Sequence, residues 1–350
     1  MNTRTPEGRL IDVVVNSAGP WSTVRVAQPY ESLQQQGWDV SFVPTPFDPL
    51  SQIRDGALVI WQRPLPESCE QWRLVVNGWR SRGCVVLVEW DDHPDLFPLS
   101  ILKKCQSTNY IHLRYCHGIQ TSNARLADVL RRFNPNVFVV ENGVKHVFHE
   151  GLFRFGQATR VFLGNFNREE EQSQIAPALD DWITSSEQVQ LVTVGTSGLE
   201  GLISKEKIES HPILPYNDYR NLLASCQIAL LPLQKGEPQA CKTPIKWMEA
   251  AVESVAVVAG PELYGPYLEN GRYGLTAQSL NEIVPLARLL ANSSQLREDI
   301  VRRSRVRVQD FALEKLLPWR ITLYRNLLRL SKTLDRSLDQ RFPLKNGLIS

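Results

Sequence analysis

Charge excess is almost absent from this chain. Its 350 residues carry 39 Lys and Arg against 37 Asp and Glu, a formal net charge of +2. A dedicated nucleic-acid binder normally needs a strong basic surplus, so the balance argues against that class. Long hydrophobic runs are also missing. No apolar stretch approaches the ~20 residues of a membrane-spanning helix, and the opening MNTRTPEGRLIDVVV lacks the apolar core of a signal peptide. The six cysteines, Cys69, Cys84, Cys105, Cys116, Cys226 and Cys241, form no Cys-x-x-Cys pair and no Cys/His metal spacing. They read as reduced, mostly buried thiols, and the expected location is the cytoplasm. Neither a repeat of solenoid period nor a low-complexity tract occurs.

Short apolar runs alternating with helical patterns fill most of the chain. Strands are expected at 10–16, 40–43, 57–61, 84–90, 110–113 and 136–142, with helices near 24–37, 66–82 and 123–133. This is βαβ alternation, which builds a parallel sheet with helices on both faces. The segment 146–159, HVFHEGLFRFGQAT, fits neither pattern. Alternation then restarts, with strands at 160–164, 189–195, 228–233 and 255–260 and helices near 169–185, 217–224, 243–253 and 279–291. The expectation is an α/β protein of two tandem Rossmann-like, doubly wound domains, 1–150 and 151–311. Ligands of such sheets bind beyond the carboxyl ends of the strands.

One stretch, CKTPIKWMEAAVESVAVVAG (241–260), joins a charged helix to a buried strand. Thr243 is a suitable N-cap and Pro244 suits the first helical position. Lys242, Lys246, Glu249 and Glu253 recur at helical spacing and share one face, while Ile245, Met248 and Val252 fall on the other. A helix N-terminus with adjacent lysines favours an anion such as a diphosphate. The plain alternative is a solvated Lys/Glu face held by i,i+4 pairs.

The tail is basic. From Val301 to Arg341 there are 11 Lys and Arg against four acids. Two amphipathic helices that close onto the domains are expected. A basic amphipathic helix is also the pattern of a segment lying on anionic lipid, so peripheral contact with the inner face of a membrane is a second expectation.

Three stretches in order resemble the retaining glycosyltransferases of the GT-B fold, specifically the family-four-like group. They are HGIQTSNARLADVLRRFNPNVFVVENGV (117–144), HPILPYNDYRNLLASCQIALLPL (211–233) and KTPIKWMEAAVESVAVVAG (242–260). The resemblance implies a nucleotide-diphosphate sugar, with UDP or GDP as the nucleotide, bound mainly by the second domain as substrate. It implies no tightly bound cofactor and no metal, and C-terminal helices (312–350) that cross back to the first domain. Glu249 matches the glutamate that contacts the donor ribose, as a carboxylate accepting from two vicinal hydroxyls. Lys242 and Lys246, with Thr243 at the helix start, would stabilise the diphosphate leaving group. Gly164 and Gly195 close strands on the same side.

The chain departs from the group's pattern at several positions. A second glutamate, eight positions before the first, is replaced by Cys241, with Glu237 the nearest acid. Asn165 and Glu170 stand where Arg and Lys are common, with Arg168 as the available cation. Ser254 and Ala256 replace a Gly and a Pro.

On the first domain, SAGPWSTVR (17–25) is a loop that borders the diphosphate or acceptor in relatives, with Gly19, Pro20 and Arg25 as candidates. It is no Gly-x-Gly-x-x-Gly, and the alternative is a tight turn beside a surface arginine. EWDDHPDLFP (89–98) follows a buried strand. Asp91, Asp92 and His93 are candidate acceptor-side residues, against a plain strand-end turn with an Asp cap; a metal reading of the acids is set aside. His117 could face the same side or be structural. The function expected is transfer of a sugar to a sugar, lipid or protein acceptor. A catalytically silent GT-B protein and, less strongly, a nucleotide-sugar epimerase are the alternatives.

Overall fold

The computed structural model describes residues 9–16, 22–145, 158–164, 168–195, 199, 201–204, 206 and 208–343. The chain divides into two compact units, Met1–Asn142 with Leu316–Ser350, and Gly143–Lys315. The sequence reading put the divisions at 150 and 311.

The first unit holds a six-stranded sheet in the order β2-β1-β3-β4-β5-β6. Its strands are β1 Leu10–Val15, β2 Asp39–Pro44, β3 Leu58–Gln62, β4 Val85–Glu89, β5 Gly118–Thr121 and β6 Val137–Val139. All neighbours pair in parallel. Every residue of β4 is buried, as a strand covered on both faces requires. The strand order reverses between β1 and β3, which places a binding crevice at their carboxyl ends.

The strand expected at 110–113 does not form. Asn109 and Tyr110 adopt left-handed backbone (φ 48° and 51°), and Ile111–Arg114 is one helical turn. Ile111, His112 and Leu113 are all buried; a short apolar run without alternation does not by itself distinguish strand from buried helix. The strand lies downstream, at β5. There Gly118 is required, because a Cβ would meet Phe138 at 2.6 Å and the Asn136 carbonyl at 2.9 Å.

The tail forms helices Leu313–Arg329 and Ser331–Arg341. Leu317, Leu323, Tyr324, Leu327 and Leu334 join the core around Ile11, Val13, Leu58 and Val85. The last helix is tied by Asp335, which accepts from Arg80 Nε at 2.6 Å and lies 3.0 Å from His117 Nε2. His117 Nδ1 accepts from the Val86 N–H, so Nε2 carries the proton. His117 is therefore a structural link.

The second unit repeats the architecture with β7 Thr159–Leu163, β8 Val189–Val194, β9 Ile208–His211, β10 Ile228–Leu231, β11 Ala256–Ala259 and β12 Leu275–Thr276. The order is β12-β11-β10-β7-β8-β9, again all parallel. This is the dinucleotide-fold order, with its reversal between β7 and β10.

The longer helix between β10 and β11 spans Ile245–Val252 against the expected 243–253, and its N-cap is Pro244 instead of Thr243, with no side chain capping it. The Pro244 carbonyl accepts from the N–H groups of Trp247 and Met248. Its end is a Schellman motif: Ser254 N–H bonds to the Ala251 carbonyl and Val255 N–H to the Ala250 carbonyl. Ser254 occupies the left-handed position, φ 63°, where glycine is usual. All six cysteines are free, five of them buried.

Candidate functional site

Parallel topology sends the helix Ile245–Val252 back from the carboxyl end of β10, so its first turn stands at the binding edge of the second sheet. Lys246 reaches across the reversal: its Nζ donates to the carbonyl of Gly164, the residue after β7, at 2.5 Å. A Cβ on Gly164 would meet the Phe162 ring at 2.5 Å and Tyr219 at 3.3 Å, so only glycine fits there.

Glu249 lies one turn further on and is buried, 4 % exposed. A solvated Lys/Glu face is thereby ruled out for this residue. The Tyr219 hydroxyl donates to Glu249 Oε2 at 3.3 Å, and the Lys246 ammonium lies 5.3 Å from the centre of the Tyr219 ring. Tyr216 and Tyr219 come from the helix Tyr216–Ala224, where three-residue spacing puts both phenols on one face. Arg220, from the same helix, pairs with Glu253 and donates to the Tyr216 hydroxyl at 3.0 Å. Glu253 is thus also engaged inside the protein.

Burial pushes the Glu249 carboxyl above its usual range, against the pull of Lys246 and Arg220. Burial pushes Lys246 down; Glu249 opposes this, and Arg168 and Lys242 add repulsion. Lys246, Lys242 and Arg168 therefore form a positive neighbourhood beside the buried Glu249 carboxylate. Such a group can neutralise a diphosphate while the carboxylate accepts hydroxyl hydrogen bonds.

The remaining donor-side candidates are spread around this centre. Lys242 and Thr243 are half-buried in the turn before the helix. Arg168 precedes the helix Glu169–Ser185 and lies 3.5 Å from Glu171. Cys241 is fully buried. Glu237 is exposed, at the start of a short helix Glu237–Ala240. Gly195 follows β8 with φ 58° and donates its N–H to the His211 carbonyl. Asn165 lies outside the described residues.

At the carboxyl edge of the first sheet, Asp91 and Asp92 are clamped by one arginine. Arg63 Nε donates to Asp91 at 2.6 Å and its Nη2 to Asp92 at 2.7 Å. Burial opposes ionisation of Asp91, but Arg63 holds its carboxyl below the usual range. His93 is buried and its Nδ1 accepts from the Asp95 N–H, capping a single turn Pro94–Leu96. A strand-end turn forms as the alternative reading expected, but its cap is the His93 side chain and not an Asp.

Arg25 turns inward rather than lying on the surface. It donates to Glu89 Oε1 at 2.8 Å, the Val140 carbonyl at 2.6 Å and Asn142 Oδ1 at 3.0 Å. Glu89 Oε2 accepts from Gln120, and Gln120 Oε1 accepts from the Tyr324 hydroxyl at 2.6 Å. Arg25 is thereby part of a buried polar network under the sheet edge. Gly19 and Pro20 lie outside the described residues. No group of three His, Cys, Asp or Glu among the described residues is placed to hold a metal ion.

Sequence reasoning missed Tyr216, Tyr219, Arg220 and Arg63. The tyrosine spacing was visible at 216 and 219, but nothing local pointed it at Glu249. Arg63 meets Asp91 only because β3 and β4 pair in register, Gln62 beside Glu89.

No family model and no curated protein matches the chain. Solved structures do. Sucrose-phosphate synthase from Thermosynechococcus elongatus superposes with a TM-score of 0.66 at 13% identity, over 92% of this chain and 99% of that one. Anabaena HepE, in complex with UDP and glucose, gives 0.64 at 13%, over 94% and 100%. Staphylococcus aureus TarM, in complex with UDP and other ligands, gives 0.57 at 13%, over 77% of this chain. The chain spans about half the length of the two TarM structures it matches, 55% and 54%. With two six-stranded parallel sheets in these orders, and with these neighbours, the chain has the GT-B fold of glycosyltransferases.

Proposed function

We propose that this chain transfers a glycosyl group from a nucleotide-diphosphate sugar to an acceptor hydroxyl of a sugar, lipid or protein, with retention and without a metal. The observation that carries the reading is the pairing of Lys246 and Glu249 at the strand reversal of the second sheet, one anchored on Gly164 and the other buried against Tyr219. The carboxylate accepts from the ribose hydroxyls. Lys246, with Lys242 and Arg168, stabilises the negative charge that grows on the departing diphosphate. The bond from the anomeric carbon to the diphosphate oxygen breaks as the acceptor oxygen bonds to that carbon on the same face. The acceptor proton goes to the departing phosphate. Asp91 and Asp92, held by Arg63, supply acceptors for an acceptor hydroxyl rather than a free base.

Titration calorimetry with UDP, GDP and ADP tests the donor site. UDP comes first, because several of the similar structures hold it. The expected result is binding of one nucleotide, weakened at least tenfold by Glu249→Gln and by Lys246→Met. Absence of binding for all three, or binding indifferent to both substitutions, would sink the proposal. Binding without turnover of the sugar conjugate in the presence of acceptors would assign the silent protein instead.

A further inference from the structure

The two tail helices sort their residues by burial. Leu317, Leu323, Tyr324, Leu327 and Leu334 enter the core, and Arg320 is buried with them. Trp319, Arg325, Arg329, Leu330, Lys332 and Arg336 are all exposed, with Trp319 at 57 % and Leu330 at 50 %. Arg325 and Arg329 are four residues apart on the first helix, and Lys332 and Arg336 four apart on the second, so each pair shares one side of its own helix.

The four cations form no ion pair with any described residue; Arg336 bonds only within its own helix, to Lys332 and Thr333. The acids of the last helix do not offset them. Asp335 is taken by Arg80 and His117, and Asp339 by Arg80. A chain of net charge +2 therefore displays four exposed cations, two on each of its last two helices, that no described acid offsets. Trp319 is held in place by its Nε1, which donates to the Val139 carbonyl at 3.2 Å, while most of the ring remains in solvent.

We propose that the exposed residues of these two helices contact an anionic phospholipid surface, with the four cations at the headgroups and Trp319 and Leu330 at the interface. Charge complementarity chooses the occupant: unpaired cations beside an exposed indole and a leucine suit a plane that is anionic outside and apolar beneath. No helix of the described residues is long and apolar enough to cross a membrane, so contact would be peripheral. The inference is independent of the donor site, because none of these residues touches it.

Co-sedimentation of the full chain with phosphatidylcholine vesicles, with and without phosphatidylglycerol, tests it. Each cation near an anionic surface contributes roughly a fivefold gain in affinity, so four contribute on the order of a hundredfold or more. The expected result is binding only to the anionic vesicles, falling with added salt. The variant R325Q/R329Q/K332Q/R336Q should lose it while keeping the wild-type melting temperature and nucleotide affinity, since glutamine keeps exposed helix positions helical. Trp319→Gln should weaken vesicle binding severalfold at unchanged salt dependence. Failure to bind anionic vesicles at low salt, or undiminished binding of the quadruple variant, would overturn the proposal. Vesicle binding indifferent to Trp319→Gln and matched by duplex DNA would also overturn it, in favour of a general polyanion surface.

Discussion

Tyr219 donates its hydroxyl to Glu249 Oε2 at 3.3 Å, joining two buried side chains from different helices. The same ring faces the Lys246 ammonium. One aromatic residue thus sets the position of both the carboxylate and the cation of the candidate site. Tyr219→Phe removes a hydrogen bond that favours the charged carboxylate, so the Glu249 carboxyl should rise further. Nucleotide binding should weaken about three- to tenfold, the worth of one such bond. Its loss on acidification should begin at higher pH than in the wild type. Calorimetry across a pH series checks this, and an unmoved pH profile would separate Glu249 from binding.

Lys246→Met deletes the bond to Gly164 and the central cation while keeping the aliphatic stem. The loss should be larger for a nucleoside diphosphate than for the monophosphate, because the cation acts on the diphosphate charge. Equal losses for both would indicate a packing role alone. Paired titrations with UDP and UMP decide between them.

Acid stability should depend on His112. Its side chain is fully buried and neither ring nitrogen has a hydrogen-bond partner among the described residues, with the tilted Trp90 ring 5.0 Å away, centre to centre. Burial lowers its pKa from 6.5 to about 3. The folded state therefore favours the neutral ring, and stability present above pH 6.5 is lost as pH falls toward about 3. The gap corresponds to on the order of 5 kcal/mol as an upper bound. His112→Phe should narrow the difference in melting temperature between pH 8 and pH 5. An unchanged difference would assign the acid sensitivity to other groups, such as His117, whose pKa burial also lowers.

Ser254→Gly should stabilise the protein by about 0.5–1 kcal/mol. The residue holds φ 63° at the end of the Ile245–Val252 helix, where glycine has no Cβ to strain, and the gain is net of the larger chain entropy that glycine loses on folding. Urea unfolding of the two proteins measures it. A loss of stability would mean that the serine side chain makes a contact worth more than the strain.

The amino-acid sequence by itself determined the two rounds of βαβ alternation, because strands covered on both faces must be short apolar runs separated by helical patterns. It also placed Lys242, Lys246 and Glu249 on one helix, since spacing of three and four is a local property. It misplaced the strand at 110–113, because Tyr110–Leu113 is too short a run to show a period, and it follows a left-handed turn at Asn109–Tyr110 into one helical turn. The tertiary structure alone decided what the candidate residues do. Arg25 read as a diphosphate- or acceptor-side residue or, alternatively, a surface charge, but Glu89 on β4 and the Val140 carbonyl beyond β6 draw it inward. Asp91 and Asp92 read as acceptor-side candidates or a strand-end turn, and only the pairing of β3 with β4 set Arg63 across from them. Glu249 read as a donor-side carboxylate or, alternatively, half of a surface pair, and the helix bearing Tyr219 buries it. Periodicity records which side of an element is apolar; it carries no information about which distant polar group will meet that element once the sheets have closed.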